Sequence, residues 1–330
     1  MLDRTFLYDI LYALAAKDGR EAILFGDGAP LAHEAFTHSL VGNTFPEVWF
    51  ELPLAGDPWF DLHVLTARED LTPDMTFDNE HTGGYPQVFS WFANQTQGVR
   101  QLALSYDVSS GSIQHPAVQL LVNQAKLKPV CDFLEATGRH DAVDAYSTFV
   151  RRLPEGWFAC YTGTFPSRSD MNLRVECIPQ HYQQLAYAKD PALLEHDLRM
   201  TGLENLGDTL VLRCHQLAQT PFQLEFQFDV TEQGAAGDKF GASLRFACPP
   251  GSPEWHYFDP DGATGTLMRQ LQSWELADDR WKLLANTMFA KRASFGQSSI
   301  KLFTFPAFIK LRWVGGQPLD AKTYLMAGAQ

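Results

Sequence analysis

Basic side chains alternate with apolar ones in several short segments of this chain. Three tripeptides share the pattern: Leu173-Arg174-Val175, Leu244-Arg245-Phe246 and Leu311-Arg312-Trp313. Because successive side chains of a β-strand point to opposite faces of its sheet, each arginine would lie on a polar face. A local cluster of such side chains can bind a small ligand even in a protein whose net charge is −13.

Further candidate residues lie on the same kind of face. Lys310 alternates in step with Arg312, Lys322 does so with Tyr324, and we expect Tyr161 to join them. Acidic residues share these faces, namely Asp61, Asp107, Glu176, Glu225 and Asp229. Two interpretations therefore stay open for each base: it binds a ligand, or it pairs with an acid across the polar face.

The polar faces described above would lie on β-strands, and the chain contains five pairs of segments with strand-like sequence. We predict strands over Glu47–Ala55 and Trp59–Thr66, Arg100–Val108 and Pro116–Val122, Gly156–Phe165 and Met171–Ile178, Gln223–Val230 and Phe240–Cys248, and Ala307–Val314 and Ala321–Ala327. Apolar and polar residues alternate along these segments, which is typical of strands with one buried face.

Segments of helical character precede these pairs. We predict helices over Leu2–Ala16, His33–Leu40, Gln87–Asn94, Gln124–Ala136, Asp141–Arg151, Gln180–Ala188, Pro191–Thr201, Gly265–Leu276 and Asp279–Lys291. The simplest description is one domain, 1–330, built from five helix–helix–strand–strand repeats. Their approximate bounds are 1–67, 68–122, 123–178, 179–248 and 249–330.

The fold class that we expect is α+β, an antiparallel ten-stranded β-barrel of five ααββ repeats with the helices outside. The helices must cover the apolar face of the sheet, so the polar face points away from the helices. Ten strands that close into a barrel have no free edges, and their polar face then lines a lumen wide enough for a ligand. An open sheet that packs on a partner protein is the alternative.

Composition argues against several classes of function. The net charge of −13 disfavours nucleic-acid binding, since phosphate contacts need an excess of lysine and arginine. The chain contains no run of about 18 apolar residues, so we expect no membrane span. The five cysteines form no C-x-x-C pair, and Cys177 and Cys214 alternate with apolar neighbours, which indicates buried free thiols in a cytoplasmic protein. His33, Glu34 and His38 lack the histidine spacing of a zinc helix, so we expect no metal site.

Three stretches carry a resemblance to a known family. Phe50-Glu51-Leu52-Pro53-Leu54, followed by Asp61-Leu62-His63-Val64, resembles a first strand pair that bears a glutamate and then an arginine. Leu102–Val108 is similar to a strand of the second repeat, and Ala321–Leu325 is similar to a K-x-Y strand. The family is that of the ABBA prenyltransferases, which are barrels of five such repeats. The branch is that of the dimethylallyl-tryptophan synthases, which prenylate indoles.

The resemblance implies a function and a set of site residues. The chain would be a metal-independent aromatic prenyltransferase of secondary metabolism, with an allylic diphosphate as co-substrate, an indole-like acceptor and no cofactor. Glu51 would be the catalytic carboxylate, which orients the acceptor and takes its proton. The substrate-binding residues would be His63, Tyr161, Arg174, Arg245, Lys310, Arg312, Lys322 and Tyr324.

At three positions the chain differs from the family pattern. His63 stands where an arginine that binds the diphosphate is expected, and Gln119 and Leu121 stand where the second repeat usually has lysine and tyrosine. These differences favour a second hypothesis. In that hypothesis a barrel of the same fold, non-catalytic or with another activity, binds a small molecule or a peptide in its lumen.

Overall fold

The computed structural model describes residues 3–42, 44–96, 98–108, 115–122, 127–165, 173–245, 258–295 and 298–330. The α-helices in these ranges are α1 (Arg4–Ala16), α2 (Ala29–Thr37), α3 (Pro86–Ala93), α4 (Leu127–Ala136), α5 (His140–Arg152), α6 (His181–Tyr187), α7 (Pro191–Met200), α8 (Asp208–Ala218) and α9 (Ala263–Ser273). A π-helical turn covers Glu21–Phe25, and 3₁₀ helices cover Arg68–Asp70 and Asp279–Thr287.

The strands follow the helices in the order expected for the repeats. They are β1 (Glu47–Pro53), β2 (Asp61–Ala67), β3 (Val99–Tyr106), β4 (Ala117–Val122), β5 (Trp157–Thr164), β6 (Leu173–Pro179), β7 (Gln223–Val230), β8 (Ala236–Arg245), β9 (Phe289–Phe295), β10 (Ser298–Val314) and β11 (Gln317–Ala329). All of their pairings are antiparallel.

Ten of these strands close into a barrel. Each of β1 to β7 pairs with the next strand, β8 pairs with β10, β10 pairs with β11, and β11 pairs back with β1. The closing register places Glu51 opposite Tyr324. β9 pairs with Ser298–Thr304 of β10 and adds a strand beyond the ring. The predicted closed ten-stranded α+β barrel is confirmed, and because the first and last strands of the ring pair, we propose that residues 1–330 form one domain.

The hydrophobic core lies between the outer faces of the strands and the helices. On β7, Phe226 and Phe228 are fully buried, and Trp157 of β5 stacks on Phe226 with ring centroids 5.0 Å apart. Phe149 of α5 packs against Phe228 at 5.4 Å. Burying each such ring stabilises the fold by about 1.5–3 kcal/mol. The apolar strand faces therefore turn outward to the helices, which leaves the polar faces in the lumen.

Two predicted elements near the C-terminus were wrong in type or length. The segment Asp279–Lys291 was predicted as one helix, but a 3₁₀ helix ends at Thr287 and β9 follows. β10 begins at Ser298, nine residues before the predicted start at Ala307. The physical reason is the same in both cases, because the backbone groups of β9 and of the first half of β10 satisfy each other across a hairpin.

Two further expectations differ in the fourth repeat. β8 begins at Ala236 rather than Phe240, since Thr231 N donates to Ala235 O and closes the turn earlier. The apolar alternation around Cys214 belongs to helix α8, where Leu210, Cys214 and Leu217 share the buried face. Leu2, Met171, Asn172 and residues 124–126 and 246–248 of the predicted elements lie outside the described residues.

Candidate active site in the barrel lumen

The polar strand faces surround a cavity of about 160 Å³ inside the barrel. An apolar cavity of similar size accommodates one benzene ring, which sets the scale of the space. The cavity wall is unusually rich in ionisable side chains. They are Glu47, Glu51, Asp61, His63, Arg100, Asp107, Tyr161, Arg174, Glu176, Arg245, Lys310, Arg312, Lys322 and Tyr324.

Glu51 of β1 forms the centre of a hydrogen-bonded chain. Lys322 Nζ of β11 lies 2.5 Å from Glu51 Oε1, and His63 Nε2 of β2 lies 2.9 Å from Glu51 Oε2. The opposite ring nitrogen, His63 Nδ1, is 2.6 Å from the hydroxyl oxygen of Ser105 on β3. The chain exists because neighbouring strands bring these residues level, with His63 directly opposite Ser105 in the register.

The two partners of Glu51 keep its carboxylate ionised. Burial raises its pKa, but the charge of Lys322 and the hydrogen bond from His63 outweigh burial and hold the pKa well below its ordinary value. Asp61, directly opposite Glu51 on β2, shows the reverse effect. Burial and the negative charge of Glu51 raise the pKa of Asp61 to about 6. Two adjacent carboxyl groups therefore have different proton affinities.

Aromatic rings form one wall beside Glu51. Tyr324 of β11 and Phe308 of β10 stack with their centroids 4.0 Å apart, and Trp49 of β1 lies 5.1 Å from Phe308. His63 lies 5.6 Å from Tyr324, and Lys322 Nζ lies 4.3 Å from the centroid of Trp59. The faces of such rings attract cations, so this wall can stabilise positive charge.

Three arginines of the lumen are held by carboxylates. Arg174 Nε donates to Asp229 at 2.7 Å, Arg245 Nε donates to Glu225 at 2.8 Å, and Arg312 Nε donates to Asp320 at 2.6 Å. In each pair the Nη2 group contacts the second carboxylate oxygen, which makes the contact bidentate. The ion pairs fix the guanidinium groups in place and neutralise much of their charge.

The pKa values of Lys310 and Glu176 are both shifted strongly toward neutrality. Burial and the nearby Arg174 lower the pKa of Lys310 to about 7. Burial and the neighbouring Glu225 raise the pKa of Glu176 to about 7. Such shifts cluster at functional sites, because burial and like charges are what tune acids and bases for catalysis.

The described residues form no metal-binding cluster and no membrane-spanning helix. Among the described residues, no three histidine, cysteine, aspartate or glutamate side chains come together as metal ligands. No helix in the described part of the chain is long and apolar enough to cross a membrane.

Comparisons with known proteins identify the fold. No protein-family model and no curated protein matches the chain. The crystal structure of the 5-dimethylallyltryptophan synthase from Streptomyces coelicolor superposes with a TM-score of 0.51, covering 98% of this chain and 91% of that one at 14% identity. The apo form of the prenyltransferase PriB superposes with a TM-score of 0.52, covering 99% and 96% at 11% identity. This chain is a prenyltransferase barrel in fold.

The prenyltransferase barrel brings all nine predicted site residues to one cavity. They are Glu51, His63, Tyr161, Arg174, Arg245, Lys310, Arg312, Lys322 and Tyr324. Their catalytic and binding roles stay predictions. Arg174 and Arg245 pair with acids, as the ion-pair interpretation predicted. Lys310 has no described carboxylate within 4 Å, so ligand binding stays open for this residue.

Sequence reasoning missed several residues of this site. Asp320 pairs with Arg312, and Trp49 and Phe308 form the aromatic wall with Tyr324. Strand parity offered a signal, because Trp49 is two residues from Glu51 and Phe308 is two residues from Lys310. Parity alone does not say which aromatic residues meet across the barrel, which depends on strand register.

Proposed function

We propose that this chain is an aromatic prenyltransferase, which transfers an allylic group from its diphosphate to an indole-like acceptor in the barrel lumen. The single observation that carries the proposal is the Glu51–Lys322 ion pair beside the Tyr324–Phe308 wall. The pair and the wall place a carboxylate, a cation and aromatic faces within one partly open cavity. The fold shared with two solved prenyltransferases supports the same reading.

The basic side chains would bind the diphosphate. As the allylic C–O bond breaks, negative charge grows on the leaving diphosphate and needs fixed cations around it. Lys310 and Lys322 lie directly opposite each other on β10 and β11, and a bound diphosphate would favour the protonated form of Lys310. Arg245 and Arg312 bind their carboxylates through Nε and Nη2, so their Nη1 groups have no partner among the described residues. Those donors can contact phosphate oxygens. In this proposal the side chains, and not a metal ion or other cofactor, carry the diphosphate charge.

The aromatic wall would stabilise the allylic cation. Tyr324 and Phe308 present stacked rings to the cavity, and Trp49 extends the wall. Trp49 and Tyr324 are buried and Phe308 is partly buried, which limits the water that could capture the cation. The acceptor ring attacks the allylic carbon, so a new bond to that carbon forms while the C–O bond breaks and pyrophosphate leaves.

Glu51 would orient the acceptor and take the proton that the substituted ring loses. In the free protein its ion pair with Lys322 weakens it as a base, since that pair lowers its pKa. A diphosphate that draws Lys322 toward itself relieves this effect. Glu51 then becomes a stronger proton acceptor once the donor substrate is in place. Donor binding and base strength are thereby coupled through one lysine.

A second candidate function rests on the arginine ion pairs. Asp229, Glu225 and Asp320 already neutralise Arg174, Arg245 and Arg312, and His63 stands at the expected arginine position. In that case, the lumen binds a small molecule or a peptide without prenyl transfer. A thermal-shift screen separates the candidates, because ligands that bind the folded state raise its melting temperature. Stabilisation by metabolites but not by pyrophosphate would favour the second candidate.

Incubation with dimethylallyl diphosphate and a panel of indoles and other aromatics tests the first candidate. We expect a prenylated product that mass spectrometry detects with the wild-type protein and that falls sharply with Glu51→Gln. A matched control is Glu195→Gln, which removes the carboxylate of an exposed ion pair on α7 and should leave turnover unchanged. Absence of both transfer and pyrophosphate binding would reject the proposal.

A further inference from the structure

Lys310 differs from the other bases that line the lumen in its partners. Arg174, Arg245, Arg312 and Lys322 each lie within 4 Å of a carboxylate. Among the described residues, Lys310 has no carboxylate within this distance, and its side chain is only 6% exposed. A buried ammonium without a counter-ion is costly, so the surroundings favour the neutral amine.

Lys310 lies on β10 and lines the cavity. The stem of Lys310 packs against Gly241 of β8, where a Cβ atom would lie 3.4 Å from Lys310 Cε, an ordinary contact distance. Lys322 lies directly opposite on β11, and Lys310 Nζ lies 5.9 Å from the centroid of Tyr324. The amine therefore faces the lumen beside the aromatic wall.

The charges that surround Lys310 act in opposite directions. Burial, Arg174 and Arg312 lower its pKa, while Glu51 and Glu176 raise it, and the result is about 7. Near neutral pH, the unprotonated form of this amine is therefore accessible. Desolvation and a neighbouring cation are the two devices that activate a lysine as a nucleophile toward carbonyl groups.

We propose that the Lys310 amine is the nucleophile of a carbonyl-binding site, which holds an aromatic aldehyde or 2-oxo acid as an imine. The amine nitrogen attacks the carbonyl carbon and forms a carbinolamine. The carbinolamine then loses its hydroxyl as water, and the nitrogen–carbon double bond forms without oxidation or reduction. Glu176, which lines the same cavity with its pKa raised to about 7, can give the proton that the departing hydroxyl needs.

The cavity indicates the chemical class of the carbonyl compound. Its volume of about 160 Å³ suits one aromatic ring, and the Tyr324–Phe308 wall offers a face for that ring. The Nη1 groups of Arg245 and Arg312, which have no partner among the described residues, favour a carboxylate or another anionic group on the ligand. This binding needs no allylic diphosphate, so it goes beyond the proposed prenyl transfer and does not depend on it.

Reductive labelling tests the proposal. The full-length protein would be treated near neutral pH with 4-carboxybenzaldehyde and cyanoborohydride, which converts an imine into a stable amine, and the labelled lysines would be located by peptide mapping. We expect labelling at Lys310 at least about tenfold faster than at the exposed Lys128 and Lys282, because each pKa unit changes the neutral fraction about tenfold. Benzaldehyde, which lacks the anionic group, should label Lys310 more slowly.

Matched variants complete the test. Lys310→Arg should lose the fast label, whereas Lys282→Arg, which changes an exposed lysine paired with Asp279, should keep it. The wild-type peptide map alone locates the label, so the test stands even where Lys310→Arg does not fold. Labelling that follows exposure, or a fast label at Lys322 in place of Lys310, would overturn the proposal. Labelling of Lys310 without any prenyl transfer would support it while rejecting the proposed transferase.

Discussion

Glu51 receives a hydrogen-bond donor on each carboxylate oxygen, Lys322 Nζ on Oε1 and His63 Nε2 on Oε2. This geometry fixes the carboxylate toward the lumen and keeps it charged. A charged carboxylate can both orient an N–H group of the acceptor substrate and receive a proton from that substrate. The same two partners make Glu51 a weak base until a substrate competes for Lys322.

Glu51→Gln tests this role directly. The amide keeps the size of the side chain and one acceptor oxygen, but it cannot take a proton. We expect turnover to fall by about 10²- to 10⁴-fold, which is the usual contribution of a positioned base. Affinity for a non-reactive donor analogue should change far less. An equal loss of affinity and turnover would show that Glu51 acts by holding the site together.

Asp61 gives a prediction about pH. Its pKa in the folded state is raised to about 6, above the ordinary value of about 4. The folded state therefore holds this proton more tightly, and its contribution to stability is present below about pH 4 and lost as the pH rises through about 6. We expect Asp61→Asn to be more stable than wild type at neutral pH by about 1–3 kcal/mol, with a smaller difference near pH 4. Urea denaturation across this pH range checks it, and a pH-independent difference would contradict it.

At the scale of the elements, cross-strand ion pairs join neighbouring strands of the barrel. Arg245 of β8 holds the Glu225 carboxylate of β7, which is almost fully buried. Arg245→Met would leave that carboxylate without its guanidinium, at a cost of about 1–3 kcal/mol, because the Arg245 side chain is itself 38% exposed and solvent screens the pair. Adding Glu225→Leu should recover most of the loss.

The control variant is Arg199→Met, which removes an exposed helical ion pair with Glu195 and should cost less than about 1 kcal/mol. Chemical denaturation of the wild type, the two arginine variants and the double variant measures the free energies of unfolding. Similar losses of stability for both arginine variants would contradict the prediction.

How far the sequence predicts these elements depends on what positions them. Alternation places Lys310, Arg312, Lys322 and Tyr324 on lumen faces, because period-two geometry is local. Alternation does not predict the contact of Lys322 with Glu51. That contact depends on the pairing of β1 with β11, which are far apart in the sequence. The hairpin of β9 and β10 was missed for a related reason, as its pairing competes with a local helical pattern.

At the scale of the whole molecule, barrel closure makes the first and last strands of the ring depend on each other. β1 and β11 pair over six residues, so neither end of the chain completes the sheet alone. We therefore expect one cooperative unfolding transition, in which tryptophan fluorescence and far-ultraviolet circular dichroism coincide. Two separate transitions would show that the repeats unfold independently and would contradict a single domain.

Calorimetric titration with dimethylallyl thiodiphosphate, a donor analogue that reacts poorly, tests the proposed function most directly. We expect binding to the wild-type protein and at least about tenfold weaker binding to Lys322→Ala, because a charge-assisted hydrogen bond contributes about 1.5–3 kcal/mol. Lys282→Ala, which changes an exposed lysine, should bind like the wild type. No binding to the wild-type protein would contradict the prenyltransferase proposal and leave the lumen to another ligand.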